Sequence, residues 1–248
     1  MAIKKRQQQK KAPNRPEGSY GRKLTINDIN LNIELTEEQN LAYKLAMDNK
    51  VVVLRGRPGT AKTTMNCYIA LQCLLSRRVS KIYVTRPNEG IGKTSGLLPG
   101  EAYSFHEGKM APYLKPVLHA FYELHGKIAI DKLIELEKIE VQPLEFIRGS
   151  NIKDAVIIID ESQNCTPEEL KAITTRLCKD AKMLFSVDTN QIDLRNKKNS
   201  AGWYFDNIAD LKGVKVIELL ENFRDELALA IMDRIDEQLS KEAQENKK

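Results

Sequence analysis

The chain has no apolar run approaching the roughly 18 residues that a membrane span requires, and its basic N-terminus lacks the apolar stretch of a secretory signal. A cytoplasmic protein without a membrane partner is the expectation. The four cysteines, Cys67, Cys73, Cys165 and Cys178, form no C-x-x-C pair, and the three histidines, His106, His119 and His125, stand at no zinc-ligand interval from them. Reduced thiols in or near a core and histidines on helical surfaces follow from that spacing. No internal repeat is visible, which removes repeat architectures.

Charge is present but unevenly placed. Residues 1–23 carry Lys4, Lys5, Arg6, Lys10, Lys11, Arg15, Arg22 and Lys23 against Glu17 alone, a net +7 that leaves −2 for the rest of the +5 total. With Gln7, Gln8, Gln9, Pro13, Pro16, Gly18 and Gly21, this arm is too polar to bury a core and is expected to be mobile. A nucleic-acid backbone is one partner for such an arm, and simple solubility is the other use of it.

The most informative segment reads Gly56-Arg57-Pro58-Gly59-Thr60-Ala61-Lys62-Thr63-Thr64, directly after the apolar run Val51 to Leu54. A strand feeding a glycine turn that opens a helix aims backbone N–H groups and the positive helix end at one spot, which suits polyphosphate. Lys62 would reach the β- and γ-phosphates of ATP, and the Thr63 hydroxyl would ligate magnesium. The pattern departs from G-x-x-x-x-G-K-[ST] at Ala61, which is expected to fit by taking right-handed helical angles.

A second element lies about 100 residues on. The β-branched run Ala155 to Ile159 reads as a strand buried on both faces and ends in Asp160-Glu161. At a strand's C-terminal edge Asp160 can hold the magnesium shell while Glu161 polarises the attacking water. A base beside the metal ligand favours hydrolysis over transfer to a small acceptor, so a kinase ranks last.

Apolar strand-like runs alternate with helical stretches from residue 36 on, the pattern of an α/β fold with a mostly parallel sheet covered by helices on both faces. Candidate strands are 51–54, 82–85, 139–142, 155–159, 183–187 and 214–219. The helix at 167–178 should start on a Thr166–Glu169 capping box and bury Leu170, Ile173 and Leu177. The expected organisation is an arm at 1–23, a domain at 24–221 with an insertion at 86–130 beside the active edge, and a charged C-terminal helix within 222–248. That helix carries Leu227, Ile231, Ile235 and Leu239 on one stripe, which should pack on its own core, a subunit contact being the alternative.

From about Leu35 to Arg224 the chain resembles the PhoH-like ATPases, P-loop proteins related to superfamily-1 helicases. The resemblance is carried by the phosphate loop, Val84-Thr85-Arg86-Pro87, Gly96-Leu97-Leu98-Pro99-Gly100, Met110 to Leu114, Arg148-Gly149, Ile159 to Asn164, and Asp188-Thr189-Asn190-Gln191-Ile192-Asp193. It departs at Val187, where members tend to have glycine. The resemblance implies a RecA-like domain, a γ-phosphate-sensing role for Gln191, and a transition-state role for Arg224 in Leu220-Glu221-Asn222-Phe223-Arg224. Thr36-Glu37-Glu38-Gln39 matches the segment whose glutamine reads adenine, and equally spells a helix capping box.

Related helicases place the nucleotide between two domains, so a neighbouring subunit is expected to complete the site, with Arg224, Arg86 or Arg148 acting across a homo-oligomeric interface such as a ring. RNA or single-stranded DNA is the implied partner. Its phosphates could meet Arg86, Lys93, Lys109 or Arg148, and its bases Tyr103, Phe105 or Tyr113. An ATP-dependent assembly switch without motor activity is the alternative.

Overall fold

The computed structural model describes residue 31 and residues 33–87, 104–106, 111–149, 151–188 and 200–245. The basic arm, Gln191, Lys93, Tyr103 and Lys109 lie outside these described residues, as does the Arg148 side chain. Among the described residues six strands form one sheet: β1 (Val51–Gly56), β2 (Lys81–Thr85), β3 (Ile139–Val141), β4 (Ala155–Ile159), β5 (Ala181–Asp188) and β6 (Val214–Glu218). Their order is β3-β2-β4-β5-β1-β6, and every neighbouring pair is parallel. Each expected strand is therefore present, within two residues of its expected ends.

Parallel neighbours need crossover connections, and these supply the covering helices. They are α1 (Glu37–Asp48), α2 (Lys62–Leu75), α3 (Ala111–His125), α4 (Lys127–Glu135), α5 (Leu144–Gly149), α6 (Pro167–Thr174), α7 (Ala201–Asp206) and α8 (Glu226–Glu245). Alternation along the strands sorts the core into two layers. Val52, Leu54, Ile82, Val84, Val156, Ile158 and Leu184 face Met65 and Ile69 of α2 and Leu114 and Phe121 of α3. Val51, Val53, Ile157, Ile159, Met183 and Phe185 face Ile147, Leu170, Ile173 and Phe205 on the other side. Phe185 and Phe205 meet with ring centroids 4.9 Å apart.

Three expectations change. Helix α6 begins on its Thr166–Glu169 capping box but ends at Thr174, because Leu177 leaves the helix to form a parallel bridge with Ile152. The segment expected as an insertion contains α3, whose Leu114, Val117, Phe121 and Leu124 are fully buried in the same layer as α2, so this part is core. The stripe of α8 does not pack on a core: Leu227, Ile231 and Ile235 are 68%, 56% and 53% exposed. The reason is placement, since α8 follows the last strand of the sheet and the helices already described cover both faces.

The three histidines lie at or near the surface as expected, although His106 sits outside any helix. All four cysteines are free thiols, three of them buried. Leu114→Ala should lower unfolding free energy by about 2–5 kcal/mol in urea titration, whereas Tyr113→Ala on the exposed side of the same helix should stay within about 1 kcal/mol.

Candidate functional site

Strand β1 delivers the phosphate loop to the C-terminal edge of the sheet, and the loop is shaped by close packing. A Cβ on Gly56 would lie 2.5 Å from the Leu219 carbonyl oxygen and 2.7 Å from Thr60 Oγ1. Gly59 has φ +93°, and a Cβ there would meet Asn222 Oδ1 at 2.6 Å and Arg224 Cγ at 2.7 Å. Both glycines are thus required by the segment running past them as well as by the turn. Thr60 is buried and bonds back through Oγ1 to the Arg57 carbonyl at 2.9 Å, fixing the turn around Pro58.

Ala61 does not take right-handed helical angles. It caps α2 with φ 62° and ψ 24°, a left-handed conformation that brings its Cβ against the backbone and costs roughly 1–2 kcal/mol. No side chain caps this helix end, so the first N–H groups of α2, at Lys62, Thr63 and Thr64, have no side-chain acceptor at the N-cap. The Lys62 ammonium donates to the carbonyls of Gly56 at 2.7 Å and Arg57 at 2.8 Å and lies 3.8 Å from Asp188. Burial pushes it below the ordinary lysine range, against the opposing pull of Asp188, Glu161 and Asp160.

The strand-end carboxylates stand beside this loop. Asp160 is 1% exposed; its Oδ1 accepts from Thr63 Oγ1 at 2.8 Å and from Ser186 Oγ at 2.5 Å. Its Oδ2 is buried with no hydrogen-bond donor, and Arg86 Nη1 stands 3.9 Å away. Glu161 has φ 54°, an uncommon conformation for a residue with a side chain, and its backbone N–H donates to Ser186 Oγ at 3.1 Å. Its carboxylate is partly exposed, 3.7 Å from Arg86 Nη2, and accepts from the Gln163 amide. Gln163 in turn accepts from the Asp188 backbone N–H at 3.2 Å.

Magnesium fits these residues. An orphaned buried carboxylate oxygen beside a hydroxyl is what one divalent ion would satisfy, and magnesium characteristically takes one or two protein oxygens and completes its shell with phosphates and water. The described residues contain no cluster of three or more His, Cys, Asp or Glu side chains that would mark an all-protein metal cage.

Beyond this centre, the Thr36–Gln39 capping box is formed: Thr36 N–H donates to Gln39 Oε1 at 3.1 Å and Gln39 N–H to Thr36 Oγ1 at 3.3 Å. Gln39 Nε2 remains buried and unpartnered. Arg224 lies against its own phosphate loop, and Arg86 against its own carboxylates while donating to the Tyr113 carbonyl at 2.8 Å. The Arg224 guanidinium donates to Met232 Sδ on α8 at 3.1 Å. Val187 continues β5, paired with Arg55 and fully buried, so the strand runs on to Asp188.

Sequence reasoning missed Ser186 and gave Gln163 and Asp188 no role. A serine inside the buried run Leu184-Phe185-Ser186-Val187 is the one signal that could have pointed to Ser186.

A parallel sheet with a strand–loop–helix turn and carboxylates on a nearby strand end defines an α/β P-loop NTPase fold of the RecA-like class. The chain belongs to the family of PhoH-like proteins, whose family model matches residues 33–236. It is 32% identical to a PhoH-like protein of Bacillus subtilis (strain 168) over 226 residues, 90% of this chain and 70% of that one. A Synechocystis PhoH-like protein is 36% identical over 66% of this chain, and Protein PhoH of Escherichia coli K12 is 31% identical over 63%. The matches span about half the length of those two relatives, 49% and 44%. Among solved structures, Pif1 helicase from Candida albicans aligns over 82% of this chain and 44% of that one, with TM-score 0.43 and 16% identity.

The two loop positions make opposite forecasts. Gly59→Ala should cost more than about 1 kcal/mol of stability, because it adds both φ strain and a clash. Ala61→Gly removes strain at an entropic cost of about 0.5–1 kcal/mol, so thermal unfolding should be unchanged or raised.

Proposed function

We propose that this protein binds ATP with magnesium and hydrolyses it, coupling turnover to RNA or single-stranded DNA. The observation that carries the first half is the buried Asp160 Oδ2, without a donor, beside the Thr63 hydroxyl. A buried carboxylate oxygen without a donor is costly in the interior, and a cation bridging to phosphate offsets that cost. Bound magnesium would be held by Thr63 and Asp160 and would neutralise charge on the β- and γ-phosphates. Lys62, freed from the Gly56 and Arg57 carbonyls, pairs with the same phosphates, and the loop residues Gly56 to Thr64 wrap them.

Glu161 acts as the base that orients the lytic water. Its partners Gln163 and Arg86 hold the carboxylate at the mouth of the site. Arg224 approaches the terminal phosphate from the Gly59 side, and Gln191 acts as the phosphate sensor. Gln39 reads adenine: Oε1 caps α1 and retains a second lone pair for the N6 amino group, while the unpartnered Nε2 donates to N7. Guanine presents two acceptors at those positions and is disfavoured.

The nucleic-acid half rests on the +7 arm and on family membership. Phe105 is buried in the core and drops out as a stacking platform, and Arg86 is occupied by carboxylates, whereas Tyr113 is exposed. The exposed stripe of α8 favours a second reading, an ATP-dependent assembly switch in which a homo-oligomer forms on nucleotide binding.

ATP turnover measured with and without RNA and single-stranded DNA separates these readings. Coupling predicts stimulation that falls steeply with salt. Slow turnover untouched by nucleic acid, with oligomer size rising on ATP addition in light scattering, would favour the switch. Glu161→Gln should lower kcat by about 10²–10⁴-fold with ATP still bound, and Lys62→Ala should weaken ATP binding by about 10–100-fold. Retained turnover in Glu161→Gln would remove the assigned base. Gln39→Ala should erase any preference for ATP over GTP.

A further inference from the structure

We propose that Glu38 is a positioning residue for Arg224, fastening the segment 219–224 onto the phosphate loop. The inference rests on the reading of Arg224 as a group that acts on the terminal phosphate. Strand β6 ends at Glu218, and Leu219 N–H still bonds to the Arg55 carbonyl at 2.7 Å. Leu219 is buried in the core, but Leu220 turns out and is 80% exposed, so apolar packing ends at Leu219 and does not reach the residues that follow. The backbone N–H groups of Leu220 and Glu221 both point at the Glu38 carboxylate, at 2.8 Å to Oε1 and 3.1 Å to Oε2.

Beyond Leu219, whose carbonyl already lies against Gly56, the rest of the segment meets the loop after this fastening. Asn222 Nδ2 donates to the Pro58 carbonyl at 2.9 Å, Phe223 N–H to the Gly59 carbonyl at 3.1 Å, and Arg224 N–H to Asn222 Oδ1 at 3.0 Å. The two N–H groups take one carboxylate oxygen each, whereas a glutamine here would offer a single acceptor oxygen. Glu38 is itself on a fixed element. It lies in the first turn of α1, where a negative charge suits the helix end. That helix is seated by fully buried Ala42 and Ala46 and by Lys182, which donates to the Ala46 and Asn49 carbonyls. The rigid helix therefore sets the position of the exposed strap, and the strap sets Arg224. Gln39 is the adjacent residue, so one turn of helix carries the groups assigned to both ends of the nucleotide.

The test compares the full chain with Glu38→Ala, Glu38→Gln, Arg224→Ala and the Glu38→Ala/Arg224→Ala double variant. Hydrogen–deuterium exchange reads the strap without any need for activity. Glu38→Ala should speed exchange at Leu220, Glu221 and, beyond them, Phe223, with Glu38→Gln between it and the native chain. Unchanged exchange at Phe223 would overturn the proposal. In ATP turnover, Glu38→Ala should lower kcat by about 10–100-fold with nucleotide Kd changed less than about threefold, as a small misplacement of a transition-state group does. In the Arg224→Ala background it should cause no further loss. A loss that multiplies with that of Arg224→Ala would show that Glu38 acts independently and would refute the assignment. If the native chain hydrolyses no ATP while the exchange result holds, the strap contact stands and the reading of Arg224 falls.

Discussion

Three elements of the fold meet at one oxygen atom. Asp160 Oδ1 at the end of β4 accepts the hydroxyl of Thr63 from the start of α2 and that of Ser186 from β5. Because β5 lies between β1 and β4, the phosphate loop and the acidic strand end are separated by two strand spacings, about 10 Å. Thr63 crosses that gap from one side and Ser186 fills it from below. Hydrogen bonds to a charged acceptor are worth roughly 1.5–3 kcal/mol each, so two of them fix this oxygen firmly between α2 and β5.

The same arrangement leaves the other oxygen unsatisfied. A fold selected for stability alone would give Asp160 Oδ2 a donor or replace the aspartate with an apolar residue. Two of the five described non-glycine residues with positive φ, Ala61 and Glu161, stand beside it, the others being Arg77, Glu137 and Asp154. Each such conformation costs on the order of 1–3 kcal/mol and persists because the surrounding structure dictates it. Ala61 is held between the buried turn at Thr60 and the start of α2, and Glu161 between the end of β4 and the 3-10 turn Ser162–Asn164.

The phosphate loop is also clasped from outside. Segment 219–224 lies so close to Gly56 and Gly59 that neither position could carry a Cβ without displacing it. Arg57 extends in the other direction, pairing with Asp233 and lying 3.8 Å from Asp236 on α8. The loop is therefore tied to the two segments that follow the last strand.

The sequence by itself determined the six strands, the capping boxes, the phosphate loop and the acidic strand end. Each is written locally: β-branched runs of strand length, a threonine with glutamine or glutamate three residues on, and a glycine turn between strand and helix. Side-chain chemistry such as the Lys62 ammonium and the paired carboxylates was legible for the same reason. Only the tertiary structure decided the backbone angle of Ala61, the role of Ser186, the core position of α3 and the placement of Arg224 beside its own loop. Those depend on which strands become neighbours and which segments approach within a hydrogen bond, contacts between residues up to about 180 positions apart. No local pattern encodes such a distance, because the energy that fixes it appears only when the separated pieces are packed together.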